Sequence, residues 1–324
     1  MLSSCLFVSL LSLPCLAWGS DGHEIVASIA QKYLDPVAAS HVNSLLGGDM
    51  APASTWADKI KHSGQYSTTG PLHYIDVKDR PPSVCGLVEE RDCPDNKCIV
   101  GAIATYAEQA KCSSKLSQVA FAAKKKPHKP RPASSDDEQD NTPASSSDNV
   151  QLDALRFLIH FFGDITQPLH NEDRARGGNQ LIVDFNGKSV NLHAVWDTQL
   201  VQTRVEEHSN QEKYVNYLIS QIDKGKYSTK AKSWISTHDV FAKSKLGNSV
   251  VALEYSSDSD KIGCDGDVWS GYDKDPNQDF SQTYATNAAP IVDEQLAKGG
   301  YRLAQFLNEL YSSCGPAKRS TIRK

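Results

Sequence analysis

The sequence predicts a mostly α-helical, single-domain protein with one small β-hairpin. Apolar residues recur at helical spacing in four segments, whereas strand-like alternation is scarce over the 324 residues. Hydrophobic residues make up 39% of the chain and charged residues 23%, so the apolar content is sufficient for a sizeable core. There is no internal repeat, and the globular domain is predicted to cover residues 18–315.

Four apolar stripes predict the helices. The first stripe precedes Pro36, which is expected to end its helix. The last contains Gly299 and Gly300, and it predicts either one long helix or a broken pair. The stripes consist of Val26, Ile29, Ala30 and Tyr33; Leu152, Leu155, Leu158, Ile159 and Phe162; Tyr214, Leu218 and Ile222; and Ile291, Leu296, Leu303, Phe306, Leu307 and Leu310.

The hairpin is predicted at residues 180–191. Leu181, Val183 and Phe185 alternate with polar residues. They precede Asn186 and Gly187, a pair that is typical of the two-residue type I′ turn.

The first 17 residues have the features of a secretory signal peptide. They contain no charged side chain, and an apolar stretch runs from Leu6 to Leu13. Small residues at Cys15 and Ala17 fit a cleavage site before Trp18. No later run reaches the length of about 18 apolar residues that indicates a membrane span. We therefore expect a secreted protein without a membrane anchor.

Six of the eight cysteines lie beyond that cleavage site. An even number in an exported chain favours three disulfides, although the residues alone do not select the pairing. A zinc-binding thiolate pair is the alternative interpretation of Cys93 and Cys98.

Residues 124–148 form a charged segment in which a basic half precedes an acidic half, with prolines and serines throughout. This composition predicts a disordered insertion, either a solvated loop or a contact for nucleic acid. Residues 316–324 are predicted to be a frayed basic tail. The formal net charge of −5 argues weakly against a duplex-binding protein, so metal ions would have to attract a polyanionic substrate.

The chemically informative region extends from His160 to Asp197. His160 and Asp164 lie four residues apart on an apolar helix, so their side chains share one face. His170 follows a helix-breaking segment, and His193 and Asp197 repeat the four-residue spacing. Polar groups beside a core are costly unless they are paired or bound to metal. The nitrogen atoms of these histidines and the oxygen atoms of these aspartates are ligands that zinc favours.

Further candidates lie nearer the amino terminus. After cleavage, the amine and carbonyl of Trp18 can chelate one metal ion, and His23 can add a ligand. A buried amino-terminal tryptophan without metal is the alternative. Asp58, His73 and Asp76 are polar residues in apolar settings.

These motifs resemble those of the fungal single-strand-specific zinc nucleases, the type I nucleases of the nuclease S-one and nuclease P-one kind. The matching stretches follow in order over nearly the whole chain after residue 17. They are W-G-S-D-G-H-E-I-V-A, S-T-W-A-D-K, P-L-H-Y-I-D, A-L-R-F-L-I-H-F-F-G-D-I-T-Q-P-L-H, G-G-N-Q-L, N-L-H-A-V-W-D-T and A-K-G-G-Y-R-L-A. The resemblance implies the helical fold shared by phospholipase C and the type I nucleases.

The resemblance also implies three Zn²⁺ ions. One would be held by Asp58, His73, His160 and Asp164; a close neighbour by Trp18, His23 and the shared Asp164; and a third by His170, His193 and Asp197. Cys85–Cys264 and Cys93–Cys98 would be disulfides, and elimination leaves Cys112–Cys314.

The implied activity is hydrolysis of single-stranded DNA and RNA to 5′-phosphorylated products, with 3′-nucleotidase activity on 3′-mononucleotides. Asp58 is expected to orient the nucleophile and Lys61 to neutralise the phosphate. Tyr74 would stack on a base whose edge Asp76 binds. Core packing of Tyr74 and a solvated Lys61 are the alternatives. We expect a monomer.

Two other functions fit parts of the sequence. A zinc-dependent phospholipase C would share the fold and the amino-terminal tryptophan, but such enzymes typically carry a glutamate where this chain has Asp197. A catalytically inactive, secreted zinc-binding protein is the second alternative, and the complete ligand set argues against it.

Overall fold

The computed structural model describes residues 18–112 and 146–314. The predicted signal peptide, most of the charged segment and the basic tail lie outside the described residues. Within those residues, the strands form one two-stranded sheet and the other regular elements are helical. The prediction of a mostly α-helical fold with a small hairpin is confirmed.

All four apolar stripes lie in helices, and the last of them is one unbroken helix. The described α-helices are Ser20–Tyr33, Pro36–Leu46, Met50–Ser54, Trp56–Ile60, Glu89–Asp92, Ile99–Ala110, Ser146–Asp164, Leu192–Ala194, Leu200–Glu207, Gln211–Asp223, Val250–Asp265, Asp267–Lys274 and Thr283–Leu310. Short 3₁₀ turns occupy Gly64–Tyr66, Gly70–His73, Pro94–Asn96, Pro168–Asn171 and Ala231–Trp234. Residues Val195–Gln199 form a π-helical segment.

Pro36 marks the junction between two helices. The first helix ends at Tyr33, and Asp35 caps the second because its Oδ1 accepts hydrogen bonds from the backbone N–H groups of Val37 and Ala38, at 2.9 and 2.8 Å. Proline suits the first helical position, where no N–H is required. It therefore begins a second helix that the sequence analysis did not predict.

Gly299 and Gly300 allow two helices to approach closely. A Cβ atom at Gly300 would lie 2.5 Å from Cβ of Ile29, and one at Gly299 would lie 2.8 Å from Oγ1 of Thr166. The glycines thus allow helix Thr283–Leu310 to pack directly against helix Ser20–Tyr33. They do not break helix Thr283–Leu310.

The hairpin positions a candidate ligand. Strand Ile182–Phe185 pairs antiparallel with Lys188–Asn191. Asn186 and Gly187 have φ values of 53° and 74°, as the predicted type I′ turn requires. Helix Leu192–Ala194 follows at once and carries His193.

The described residues contain three disulfides, one local and two that join distant parts of the chain. Cys85–Cys264, Cys93–Cys98 and Cys112–Cys314 have Cα–Cα distances of 5.7, 5.4 and 5.8 Å. These are the pairs that the sequence analysis expected, and they exclude a zinc-binding thiolate pair at Cys93 and Cys98. No helix among the described residues has both the length and the apolar character needed to span a bilayer.

Candidate metal centre

The histidines and aspartates expected to bind metal meet in one buried region. They form three groups, within each of which the candidate ligand atoms lie within 4.8 Å of one another. The groups are Asp58, His73 and His160; His23, His160 and Asp164; and His170, His193 and Asp197.

Asp164 lies between the first two groups. Its Oδ2 is 3.0 Å from Nδ1 of His73 and 3.2 Å from Nε2 of His160. Its Oδ1 is 3.3 Å from Nε2 of His23. Because the two oxygens face different imidazoles, this carboxylate is placed to bridge two ions.

Asp58 completes the first group from the short helix Trp56–Ile60. Its Oδ1 lies 3.6 Å from Nε2 of His160 and 3.8 Å from Nδ1 of His73. Lys61 places its Nζ 2.8 Å from the same oxygen. A buried ammonium group therefore lies beside the first group, which excludes the alternative of a solvated Lys61.

The third group is formed around the π-helical segment. Nε2 of His193 lies 3.2 Å from Nε2 of His170 and 3.2 Å from Oδ2 of Asp197. The π-helical segment Val195–Gln199 carries Asp197, and such irregular turns are frequent at functional sites.

The spacing of these atoms fits divalent metal ions. A tetrahedral zinc site with bonds of about 2.0–2.2 Å brings neighbouring ligand atoms to roughly 3.3–3.6 Å from one another. The contacts described above lie around that range. Both ring nitrogens of His23 and Oδ1 of Asp164 are buried without a hydrogen-bond partner among the described residues, which suits ligands that bind metal.

Backbone carbonyls orient three of the imidazoles. Nδ1 of His160 donates to the backbone carbonyl of Ser54 at 2.6 Å. Nδ1 of His170 donates to the carbonyl of His73 at 2.9 Å. Nδ1 of His193 donates to the carbonyl of Gly177 at 2.6 Å. A carbonyl only accepts, so each Nδ1 carries a proton, and each Nε2 is the nitrogen that would supply its lone pair to a bound ion.

The pKa values of His170 and Asp164 favour the protonation states in which these groups bind metal. Burial lowers the pKa of His170 to about 4, so its imidazole is neutral near pH 7 and can act as a ligand. Burial alone would raise the pKa of Asp164. The charge of His160 and hydrogen bonds from neighbouring imidazoles instead hold that pKa well below its usual range.

Trp18 is buried two residues before the first helix, Ser20–Tyr33, and next to the third group. The backbone N–H of Gly19 donates to the carbonyl of Asp197 at 2.6 Å. A Cβ at Gly22 would lie 2.8 Å from Cβ of Trp18, and one at Gly163 would lie 2.5 Å from Nδ1 of His23. Glycine at both positions therefore lets the amino-terminal segment reach the centre. Chelation by the Trp18 amine and carbonyl stays a prediction.

Tyr74 and Asp76 lie on an extended segment that follows His73. The N–H of Ile75 donates to the carbonyl of His170 at 2.9 Å. The side chain of Ile75 is buried. Alternation then places Tyr74 and Asp76 on the opposite side. Tyr74 is 37% exposed, which argues against a packing role and leaves its ring accessible. Burial raises the pKa of Asp76 above its usual value.

Gln167 is a residue of the centre that the sequence analysis did not single out. Its Nε2 donates to Oδ1 of Asp197 at 2.6 Å, and its Oε1 accepts from the N–H of Leu169 at 2.5 Å. It therefore joins the turn that carries His170 to the carboxylate of the same group. Nothing in the sequence around Gln167 indicated this contact with Asp197.

We expect Gln167→Leu to weaken metal binding by the third group about 10- to 100-fold, as loss of contacts to metal ligands typically does. Asp197 would lose the donor that fixes its orientation. Competition with a chromogenic chelator measures the affinity. Gln295→Leu is the matched control, because Gln295 is also buried but donates to the carbonyl of Thr166. Equal affinities for the two variants would contradict the role of Gln167.

Comparisons with known proteins identify the family of this chain. The chain is 33% identical over 302 residues to Nuclease PA3 of Penicillium sp and to Nuclease P1 of Penicillium citrinum, covering 91% of this chain and 98% of each relative. It is 29% identical over 308 residues to Endonuclease 4 of Arabidopsis thaliana, and the match covers 92% of this chain and 90% of that relative. The family model described as S1/P1 Nuclease matches residues 18–128 and 134–312. The chain belongs to the S1/P1 nuclease family.

Proposed function

We propose that this protein is a secreted, zinc-dependent nuclease that hydrolyses the phosphodiester bonds of single-stranded DNA and RNA. Its products would be 5′-phosphorylated, and the same site would remove the 3′-phosphate of mononucleotides. The observation that carries this proposal is the convergence of all eight predicted imidazole and carboxylate ligands in one buried centre. Family membership supports a phosphodiester hydrolase.

The three groups described above would hold three Zn²⁺ ions, with Trp18 completing the group of His23 and Asp164. When bound, such ions neutralise phosphate charge and make water acidic enough to supply a nucleophile near neutral pH. Asp58 lies at the edge of the first group, where it can accept a hydrogen bond from that water and orient it. Lys61, 2.8 Å from Asp58, adds positive charge for the phosphate oxygens.

The exposed ring of Tyr74 supports a preference for single strands. Aromatic side chains stack on bases of any sequence, but only where the face of the base is free. A duplex hides that face between neighbouring base pairs. Asp76 lies on the same side of the segment, where it can bind the edge of the stacked base.

Comparing substrates tests the function directly. Purified, zinc-loaded protein should cleave single-stranded DNA and RNA, act weakly on duplex DNA, and release phosphate from 3′- but not 5′-mononucleotides. Hydrolysis of phosphatidylcholine in place of nucleic acid would instead identify a phospholipase C. Zinc binding without hydrolysis of any phosphate ester would identify an inactive protein. Metal analysis and the mass of the exported chain would test for three zinc ions and an amino-terminal Trp18.

We expect Tyr74→Ala to raise KM for single-stranded DNA about tenfold, because base stacking contributes about 1–3 kcal/mol per base. Steady-state kinetics on a short oligonucleotide measure this change. Tyr74→Phe is the control, since it keeps the ring and should retain the KM of the wild type. An unchanged KM in the alanine variant would remove Tyr74 from substrate binding.

A further inference from the structure

A second acidic cluster lies outside the metal centre. It consists of Asp79, Glu172 and Asp260, and we call it the Glu172 cluster. Glu172 and Asp260 are each 1% exposed, and Asp79 is partly buried. Burial is the largest cause of the raised pKa of Glu172, and the charges of Asp79 and Asp260 raise it further. Asp79 and Asp260 are therefore each close enough to repel a charge on Glu172.

The cluster surrounds the Cys85–Cys264 disulfide. A carboxylate oxygen of Asp79 lies within 4.8 Å of both sulfur atoms. A Cβ at Gly263, the residue before Cys264, would lie 2.7 Å from Oε1 of Glu172. Asp260 precedes Gly263 by one turn of the same helix, so it shares that helix face.

Glu172 receives no well-formed hydrogen bond from the described residues. Neither of its carboxylate oxygens has a hydrogen bond of normal geometry within the described residues, and Oδ1 of Asp79 has none either. The indole of Trp269 lies near Glu172 and lowers the pKa of that carboxyl group. However, the indole nitrogen is itself without a well-formed hydrogen bond to any described residue.

The nearby arginines are engaged elsewhere. Arg91 binds the Asp92 carboxylate at 2.6 and 2.8 Å, and Arg174 forms a bidentate pair with Asp273. Each guanidinium group is thus hydrogen-bonded to another carboxylate, and Arg174 acts on Glu172 only through its charge. Ionised Glu172 would still require a cation, because burying a carboxylate without hydrogen bonds is strongly unfavourable.

We infer that the Glu172 cluster binds a hard divalent cation, Ca²⁺, separate from the zinc centre. Its side-chain donors are carboxylate oxygens, which suit calcium, and the neighbouring sulfurs are held in the disulfide. The carbonyl of Pro168 lies 3.3 Å from the Cβ position at Gly263 and offers a further oxygen. Imidazoles, which zinc favours, are absent from the residues that define the cluster.

Bound calcium would join three segments of the fold. Asp79 belongs to the loop of Cys85, Glu172 directly follows the turn Pro168–Asn171 that carries His170, and Asp260 lies on helix Val250–Asp265. The ion would therefore stabilise the segment that supports the third metal group without touching substrate. This inference does not depend on the proposed nuclease activity.

Terbium luminescence and thermal unfolding of the zinc-loaded protein test the site. Tb³⁺, which replaces Ca²⁺, should give emission sensitised by tryptophan, and Ca²⁺ should displace it. Calcium at about 100 times its Kd should raise the Tm of the wild type by roughly 5 °C. Glu172→Gln should abolish both responses and keep its zinc content. Glu90→Gln, which alters an exposed carboxylate nearby, should retain both.

Folding of the Glu172→Gln variant is checked separately. Without calcium, its Tm should equal or exceed that of the wild type, because the substitution removes a buried acid. A wild type that does not respond to calcium would overturn the inference and identify a proton as the neutralising species. A calcium response that is unchanged in Glu172→Gln would overturn it as well. Neither result would affect the cleavage of nucleic acid, which is measured independently.

Discussion

Replacing Asp164 with asparagine is expected to abolish nuclease activity, with kcat/KM on single-stranded DNA falling by at least about 10³-fold. Asp164 contacts His23, His73 and His160 with both oxygens, so its charge supports two of the three metal groups. An amide cannot offer two anionic oxygens. Losing the transition-state stabilisation that a metal ion supplies, several kcal/mol, corresponds to about this factor.

Metal content distinguishes this loss from unfolding. We expect Asp164→Asn to retain about one zinc ion per chain, at the group of His170, because only the other two groups depend on Asp164. Asp153→Asn alters a carboxylate on the same helix that contacts Tyr66 and Arg156, and it should keep three ions and full activity. If Asp164→Asn also kept three ions, Asp164 would not be a bridging ligand.

Asp58→Asn is expected to lower kcat on single-stranded DNA by about 10²–10⁴-fold, the usual contribution of a positioned acid or base. The asparagine keeps one oxygen near His73 and His160 but loses the charge that Lys61 faces at 2.8 Å. Because the other contacts of the centre remain, KM should change little. Single-turnover kinetics on an oligonucleotide separate the hydrolysis step from product release.

The control for Asp58→Asn is Lys59→Gln, since Lys59 lies on the same short helix but is exposed. This variant should retain wild-type kcat. Near-normal turnover of Asp58→Asn, with zinc still bound, would remove Asp58 from the chemistry and leave it as a replaceable contact.

Local sequence patterns predicted the parts of the fold that depend on neighbouring residues. The hairpin followed from Asn186-Gly187, and two candidate ligand pairs followed from four-residue spacings on helices. The four apolar stripes predicted helices correctly, because each of these helices buries one face. Helix Val250–Asp265 was missed because buried serines and an aspartate interrupt its buried face.

Contacts between distant residues could not be predicted in the same way. Gln167 reaches Asp197 across 30 positions, and the contact requires the hairpin to return the chain to the centre. The Glu172 cluster draws on three segments that no periodicity connects. Resemblance to a family located the candidate ligands, but the contacts that orient them became visible only in the structure.

The packing of the last long helix against the first has a consequence for biosynthesis. His23 lies on Ser20–Tyr33, and that helix is seated on Gly299 and Gly300 of Thr283–Leu310. A ribosome synthesises the second partner long after the first. The helix that carries His23 therefore lacks this packing partner during most of elongation, and the support of the amino-terminal ligand can form only late in folding.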